Sequence, residues 1–509
     1  MSASTTDVLV VGGGLAGVAA ATAIAEQGIK VTLLEQENHL GGRLAGWTEQ
    51  LPDGTTLQME RGFHAFFRQY YNLRQLLRRI DPTLTKLKPL KDYPIVGPHG
   101  LSQSFAGLRT HAPMNVIDLV RQTDTLKLKH LLRINKRAAL EMLAFDTEQS
   151  YAMFDQLSAK DYLDSLKFPQ EARHMLFDVF SHSFFNPEDN MSAAEMLAMF
   201  HFYFMGNPEG LLFDVMREPF STTIWHPFEQ YLAKTGVILI KNCQALRVHP
   251  RPHGFTIQAR QDTQYAEFQT KTLILALNVP GIQRVIRDSP ELGDVLWRKS
   301  IESLRTTARF VVWRLWLDRP VWPDRAEFVG TTGVGLLDNI SLYHRIEKES
   351  AQWATQTGGS VVELHAYAVA PEIEEAAIKE NLLQGLNALY PETSQAGIVH
   401  HRFMIHQDCP AFAPGSYTLR PGVISSHPQL MIAGDFVRLP FPSALMERAV
   451  TSGFLAANHL LQQQGLPTVP IHRIPSKGLA SWIHKKPDFK DAYRHVQNTV
   501  LEKTNFLRS

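Results

Sequence analysis

Consecutive apolar positions at Val8, Leu9, Val10 and Val11 predict a strand buried on both faces, as strands of parallel sheets are. Three glycines are followed by Leu15, Ala16, Val18, Ala21, Ile24 and Ala25, which read as a small-faced helix packed on that strand and closed by Gly28. A second strand is predicted over 30–34. Apolar runs of the same kind return far downstream, at 272–277 before Asn278 and Pro280, and at 430–433 before Gly434 and Asp435, with a strand pair over 236–248. Pro440, Pro442 and Ser443 then break the chain ahead of a helix predicted from about 444 to 461, with Ser443 as its N-cap.

Because matching elements lie at both ends, the organisation is read as interleaved. The fold class is α/β, a Rossmann-like domain assembled from 1–94, 221–284 and 411–464, with an α+β domain built from the insertions 95–220 and 285–410. Residues 465–509, with Pro467, Pro470, Pro475 and Lys485-Lys486-Pro487, read as an appendage without a core.

Composition narrows the class. At 509 residues the chain exceeds one core, and 44% hydrophobic with 10% aromatic residues can fill two or three. A net charge of +1 argues against a nucleic-acid partner. Cys243 and Cys409 are far apart and in no metal spacing, so no zinc or iron–sulfur site is expected, and a reducing compartment is the default. No basic leader precedes the first strand and no apolar run reaches about 18 residues, so neither a signal peptide nor a membrane span is expected.

The glycines carry the first chemistry. In Gly12-x-Gly14-x-x-Gly17, Gly12 permits the turn, Gly14 lets backbone approach a pyrophosphate, and Gly17 lets helix and strand pack, so the helix's free N–H groups face the phosphates. Glu35, ending the second strand, is placed to accept both ribose hydroxyls of an adenosine half and to repel a 2′-phosphate. These residues predict a dinucleotide and leave NAD and FAD open.

Gly41-Gly42-Arg43 follows Glu35 at the spacing seen in the phytoene desaturase and amine oxidase flavoprotein superfamily, which this chain resembles. The resemblance implies FAD, with Arg43 near pyrophosphate and flavin and with Leu15 and Ala16 beside the glycines. The stretch from Gly434-Asp435 through Pro442, Ala444, Leu445, Met446 and Glu447 to Gly453 resembles the closing motif of carotenoid desaturases. It implies Asp435 on the ribityl chain and the helix start at Ala444, Leu445 and Met446 facing the flavin. Ala245 is assigned to the adenine side. One departure stands out: relatives carry a Pro-x-Gly-Gly segment before the adenine strand, where this chain has Ile224-Trp225-His226-Pro227-Phe228.

A sharper resemblance covers 60–82, including Glu60-Arg61-Gly62-Phe63-His64 and Asp81-Pro82, which is similar to the carotenoid φ- or χ-ring synthases, the β-carotene desaturase/methyltransferases. It implies that a β-ionone ring loses hydride, one of its two C1 methyl groups migrates to C2, and proton loss with a second oxidation completes an aromatic ring. No methyl donor is needed. His64 and Arg61 are the candidate catalytic residues, His64 as base, while His400, His401 and His406 read as incidental and Glu447 as structural.

Substrate class is read from 177–228, crowded with residues such as Phe185, Phe202, Tyr203, Phe213, Met196 and Met199. Singly these are core residues; together they suit a long apolar substrate, a carotene. Leu126 to Arg137 mixes Leu and Ile with Lys and Arg, which reads equally as a membrane-surface helix or a solvated one. The resulting expectation is a peripheral membrane protein on the cytoplasmic side, using an electron acceptor that the sequence does not name. Linear-carotene desaturation or isomerisation, and amine oxidation, are the alternatives.

Overall fold

The computed structural model describes residues 4–50, 54–98, 102–122, 143–165 and 185–482. The basic segment 126–137 and Phe177, Phe180 and Phe184 lie outside them.

Strand β1 (Ser4–Val11) leads through Gly12–Gly14 into helix α1 (Leu15–Ala25), and β2 (Val31–Leu34) pairs parallel to β1. After some two hundred residues β3 (Ile238–Ile240) adds to the outer edge of β2, and β4 (Cys243–Arg251), β5 (Gly254–Gln261) and β6 (Gln264–Leu275) form an antiparallel run. The far end of β6 enters the parallel part, Val8 beside Thr272 and Val11 beside Leu275. All eleven residues of α1 are buried, which is why Ala dominates there: larger side chains would hold it off the sheet.

A second sheet comes from the insertions. Beside its edge strand β9 (Ile398–His406) lies β7 (Arg309–Leu317), paired antiparallel to it and to β8 (Ser360–Val369), and the sheet continues through Asn339–Leu342, Phe328–Thr331 and Ile95–Val96 to Ser102–Gln103. The chain returns through β10 (Leu430–Ile432), which pairs parallel to β6, and ends its core in α2 (Leu445–Gln463). An added Cβ at Gly453 of α2 would sit 2.2 Å from the Ala16 carbonyl oxygen, so glycine lets α2 lie against α1.

Two expectations are corrected. Described residues of the C-terminal segment are not an appendage: Val469 and Ile474 are buried in the main core, and the His472 amide donates to Asn72 Oδ1 at 2.9 Å. The many prolines there remove helix, not packing. Ser443 does not cap α2. Ala444 occupies that position, no side chain bonds the free amides, and Ser443 Oγ is buried without a partner among the described residues.

Candidate active site

The C-terminal ends of β1, β2 and β6 open onto a cavity of about 890 Å³ that continues to the inner face of the second sheet. At the sheet end the glycines do different work. Gly12 has φ +109°, and a Cβ there would lie 2.3 Å from Ala276 O; one at Gly17 would lie 1.9 Å from Gly12 O. A Cβ at Gly14 meets only Gly41 O at 3.9 Å, so its vacant side faces the cavity.

Glu35 is buried, with Oε2 accepting from the Gly13 amide at 2.6 Å and Oε1 from the Glu37 amide at 2.9 Å. Burial raises its pKa and the two amides work against that rise. Each oxygen has one donor and retains acceptor capacity, and Glu35 lines the cavity. Gly41 has φ +123° and is covered by Trp225, whose Nε1 donates to Leu44 O at 2.8 Å. The departure at 224–228 is thereby accounted for: an indole, held by the chain it supports, braces the Gly41-Gly42-Arg43 turn.

Arg43 donates from Nη2 to Asp435 Oδ1 at 2.6 Å, joining the first and last motifs. Leu445, at φ +45°, and Met446 line the cavity, so the uncapped start of α2 faces the same space as the uncapped start of α1. Such ends favour negative charge by about 0.3–1 kcal/mol, more when shielded from water. Ala245 lies on β4 beside Cys243 and Gln244, which also line the cavity.

Arg61 and His64 also line the cavity. Arg61 Nη2 donates to both oxygens of Asp408 at 3.0 Å. The His64 ring nitrogen Nδ1 faces Gly62 O at 2.8 Å, so it carries the proton and leaves Nε2 with a lone pair. Burial pulls His64 down to about 4, so the ring is neutral at pH 7. Beyond it the wall is aromatic, with Phe63, Phe185, Tyr203, Phe213 and Phe328. Within 185–228 the aromatics divide between roles, since Phe202, Trp225 and Phe228 are core while Phe185, Tyr203 and Phe213 reach the cavity.

Sequence reasoning missed a buried polar chain beneath this wall. Glu363 Oε1 accepts from the Phe63 amide and His365 Nε2, each at 2.8 Å, and Oε2 accepts from Arg314 Nε at 2.8 Å. Although burial opposes its ionisation, Arg314 and His365 hold the carboxyl down to about 2. Arg314 stacks 3.6 Å over the Tyr343 ring, and Tyr343 donates to Glu60 at 3.2 Å. His365 Nδ1 lies 2.6 Å from Tyr367 Oη, which also receives Asn339 Nδ2 at 2.9 Å. Glu363, His365 and Tyr367 alternate along β8 and so share one face, a signal legible once the strand is known. His406, read as incidental, lines the cavity, with burial taking it down to about 4.

Residues 15–461 match the family model described as flavin containing amine oxidoreductase. A carotenoid phi-ring synthase of Streptomyces griseus is 48% identical over 478 residues, covering 94% of this chain and 92% of that relative. Another of Chlorobaculum tepidum is 25% identical, covering 92% and 91%. Among solved structures, a putrescine oxidase bound to putrescine superposes with a TM-score of 0.65 at 16% identity, over 91% of this chain and all of that one, a likeness of fold alone.

Proposed function

The chain belongs to the flavin containing amine oxidoreductase family, and we propose that it is an FAD-dependent oxidoreductase that converts the β-ionone ring of a carotene to an aromatic φ ring. The observation that carries this reading is the continuity of the cavity, from Gly14, Glu35, Arg43 and Asp435 at one end to Phe63, Phe213 and Phe328 at the other.

The residues fit FAD. Gly14 leaves room for a pyrophosphate and the α1 amides face it; Glu35 keeps a lone pair on each oxygen for ribose hydroxyls; Ala245 offers a small surface for adenine. Asp435, fixed by Arg43, stands where the ribityl chain would pass, and the start of α2 would meet the flavin ring. When bound, the flavin supplies hydride acceptance. The protein's own residues grip a polyene between aromatic faces and keep water from a cationic ring. Four hydrogens leave each ring, as two hydrides and two protons, and the migrating methyl stays on the molecule.

Kinship with a phi-ring synthase at 48% identity supports the φ product over the χ product. A membrane-dissolved substrate supports peripheral attachment on the cytoplasmic side; among the described residues no helix is long and apolar enough to cross a membrane. A discontinuous FAD domain and a substrate domain are read as centred on the two seven-stranded sheets, with the small sheet of Phe66–Phe67, Leu87–Pro89 and Phe213–Met216 joining segments assigned to both.

Anaerobic mixing of purified holoenzyme with β-carotene tests the reading. Bleaching of the flavin band by β-carotene is expected, and, once a quinone is added as electron acceptor to reoxidise the flavin for the second hydride, recovery of a φ-ring product by chromatography. Protein that takes up no flavin, or is bleached by an amine and not by a carotene, defeats it.

A further inference from the structure

Removing a ring proton from a carotene cation requires a base that stays effective in an apolar cleft. His64 meets only half of that requirement. Its Nε2 is available, but burial weakens it, and its hydrogen bond runs to the neutral carbonyl of Gly62, so an imidazolium there has no bonded carboxylate.

The Glu363–His365–Tyr367 chain is built differently. Every group bonded to Glu363 donates to it: the Phe63 amide, Arg314 and His365. The carboxylate is therefore ionised and accepts the His365 Nε2 proton, which leaves the Nδ1 lone pair facing Tyr367. Tyr367 must then donate its hydroxyl proton to Nδ1 at 2.6 Å. Asn339 Nδ2 occupies one remaining acceptor direction of the tyrosine oxygen, and among the described residues no other group donates to it, which leaves the second direction to receive a proton. Tyr367 and His365 both line the cavity, and Tyr367 packs edge-on against Phe185, also in the wall. Burial holds the phenol well above its ordinary pKa, so it relays a proton without resting as phenolate.

We propose that Tyr367, backed by His365 and Glu363, is the base that deprotonates the cationic carotenoid ring. In this step a ring C–H bond breaks and its electron pair forms the ring C=C bond. The proton bonds to Tyr367 Oη as the tyrosine's own proton passes to His365 Nδ1. The resulting imidazolium is matched by the Glu363 carboxylate, and the proton leaves to water when product departs. The two hydrides of each ring pass one at a time to the flavin of the proposed holoenzyme, which is reoxidised between them by an external two-electron acceptor such as a quinone. Tyr367 is the catalytic residue; His365 and Glu363 are positioning residues acting through it. The inference rests on the carotene reading above and assigns that reading's missing base.

Holoenzyme carrying Tyr367→Phe keeps the ring and its contact with Phe185 and loses only the oxygen. In anaerobic single-turnover mixing with β-carotene, flavin bleaching is expected within about threefold of wild type, while aromatic product, collected over many turnovers with a quinone added as electron acceptor, falls by about 100-fold or more. Non-aromatic carotenes should account for the difference. His365→Gln, with a melting temperature near wild type, should show the same split between bleaching and product in milder form. If wild type itself is not bleached by β-carotene, the carotene reading fails and takes the relay with it. If wild type is bleached and aromatises, the relay alone is overturned by any of three results. These are an unchanged product yield in Tyr367→Phe and His365→Gln, a loss of bleaching in step with product, or the product split arising from His64→Gln instead.

Discussion

Arg43 and Asp435, 392 positions apart, are joined by a 2.6 Å hydrogen bond at the cavity wall. The pair fixes the ends of the chain relative to each other and holds both side chains in one orientation. Bonds between charged groups contribute about 1.5–3 kcal/mol when partly buried. Asp435→Ala is expected to lower flavin retention by 10-fold or more, in the sense of about 1.4 kcal/mol per factor of ten. Flavin-to-protein absorbance after dialysis measures it, and Asp435→Asn should fall between the two.

Gly14 and Gly17 should separate cofactor binding from folding. Gly17→Ala drives a methyl onto Gly12 O and should destabilise the protein by about 1–3 kcal/mol or more, seen as a lower urea midpoint. Gly14→Ala meets nothing closer than 3.9 Å, so the fold should hold while flavin affinity drops. Equal urea midpoints for the two variants would contradict this division.

Arg314 lies 1% exposed between Glu363 and Glu60. Arg314→Ala leaves a buried carboxylate without its cation, at a cost of about 3–5 kcal/mol. Glu363 is held at about 2 in the folded protein against an ordinary 4.5. Its contribution is therefore present above 4.5 and lost as pH falls toward 2. The stability difference between wild type and Glu363→Gln should shrink over that window in urea titrations.

His201 is 1% exposed and packs on Phe145, with Nε2 facing Pro475 O at 2.8 Å; burial takes it to about 4 against an ordinary 6.5. Between those values the unfolded chain binds a proton that the folded one refuses, so stability falls as pH drops from 6.5 to 4. The loss is on the order of 3 kcal/mol. His201→Gln retains a donor for Pro475 and should flatten the melting temperature across this range.

How much of this was legible in sequence follows from separation along the chain. The glycine turn, Glu35 and the small-faced helix lie within 35 residues, and local rules place them. That Gly434 and Asp435 would meet Arg43 came from matching motif against motif, since no local rule spans such a gap. Trp225 was noticed only as a departure; its bond to Leu44 depends on a tertiary approach that no periodicity encodes. Ser443 failed as a cap because the chain needs Leu445 in a left-handed turn, which carries the serine hydroxyl into the core. His365 and Tyr367 lie inside an apolar strand, where polar residues gain meaning only from the Arg314 and Asn339 that neighbouring strands of the same sheet bring beside them. His406, read as incidental, ends a strand of mostly exposed and half-exposed residues, and only the tertiary approach of that strand's end brings it to the cavity.

The joining of β1, β6 and β10 in one sheet has a consequence for biosynthesis. Translation at about 5–20 residues per second separates the emergence of Arg43 from that of Asp435 by roughly 20–80 seconds. For about the first half of that interval β1, α1 and β2 exist without the strands β3 and β6 that flank them, and β10 joins β6 only at its end. The cradle that Arg43 and Asp435 form together is therefore completed late in synthesis, and a ligand that needs both residues cannot be gripped before then.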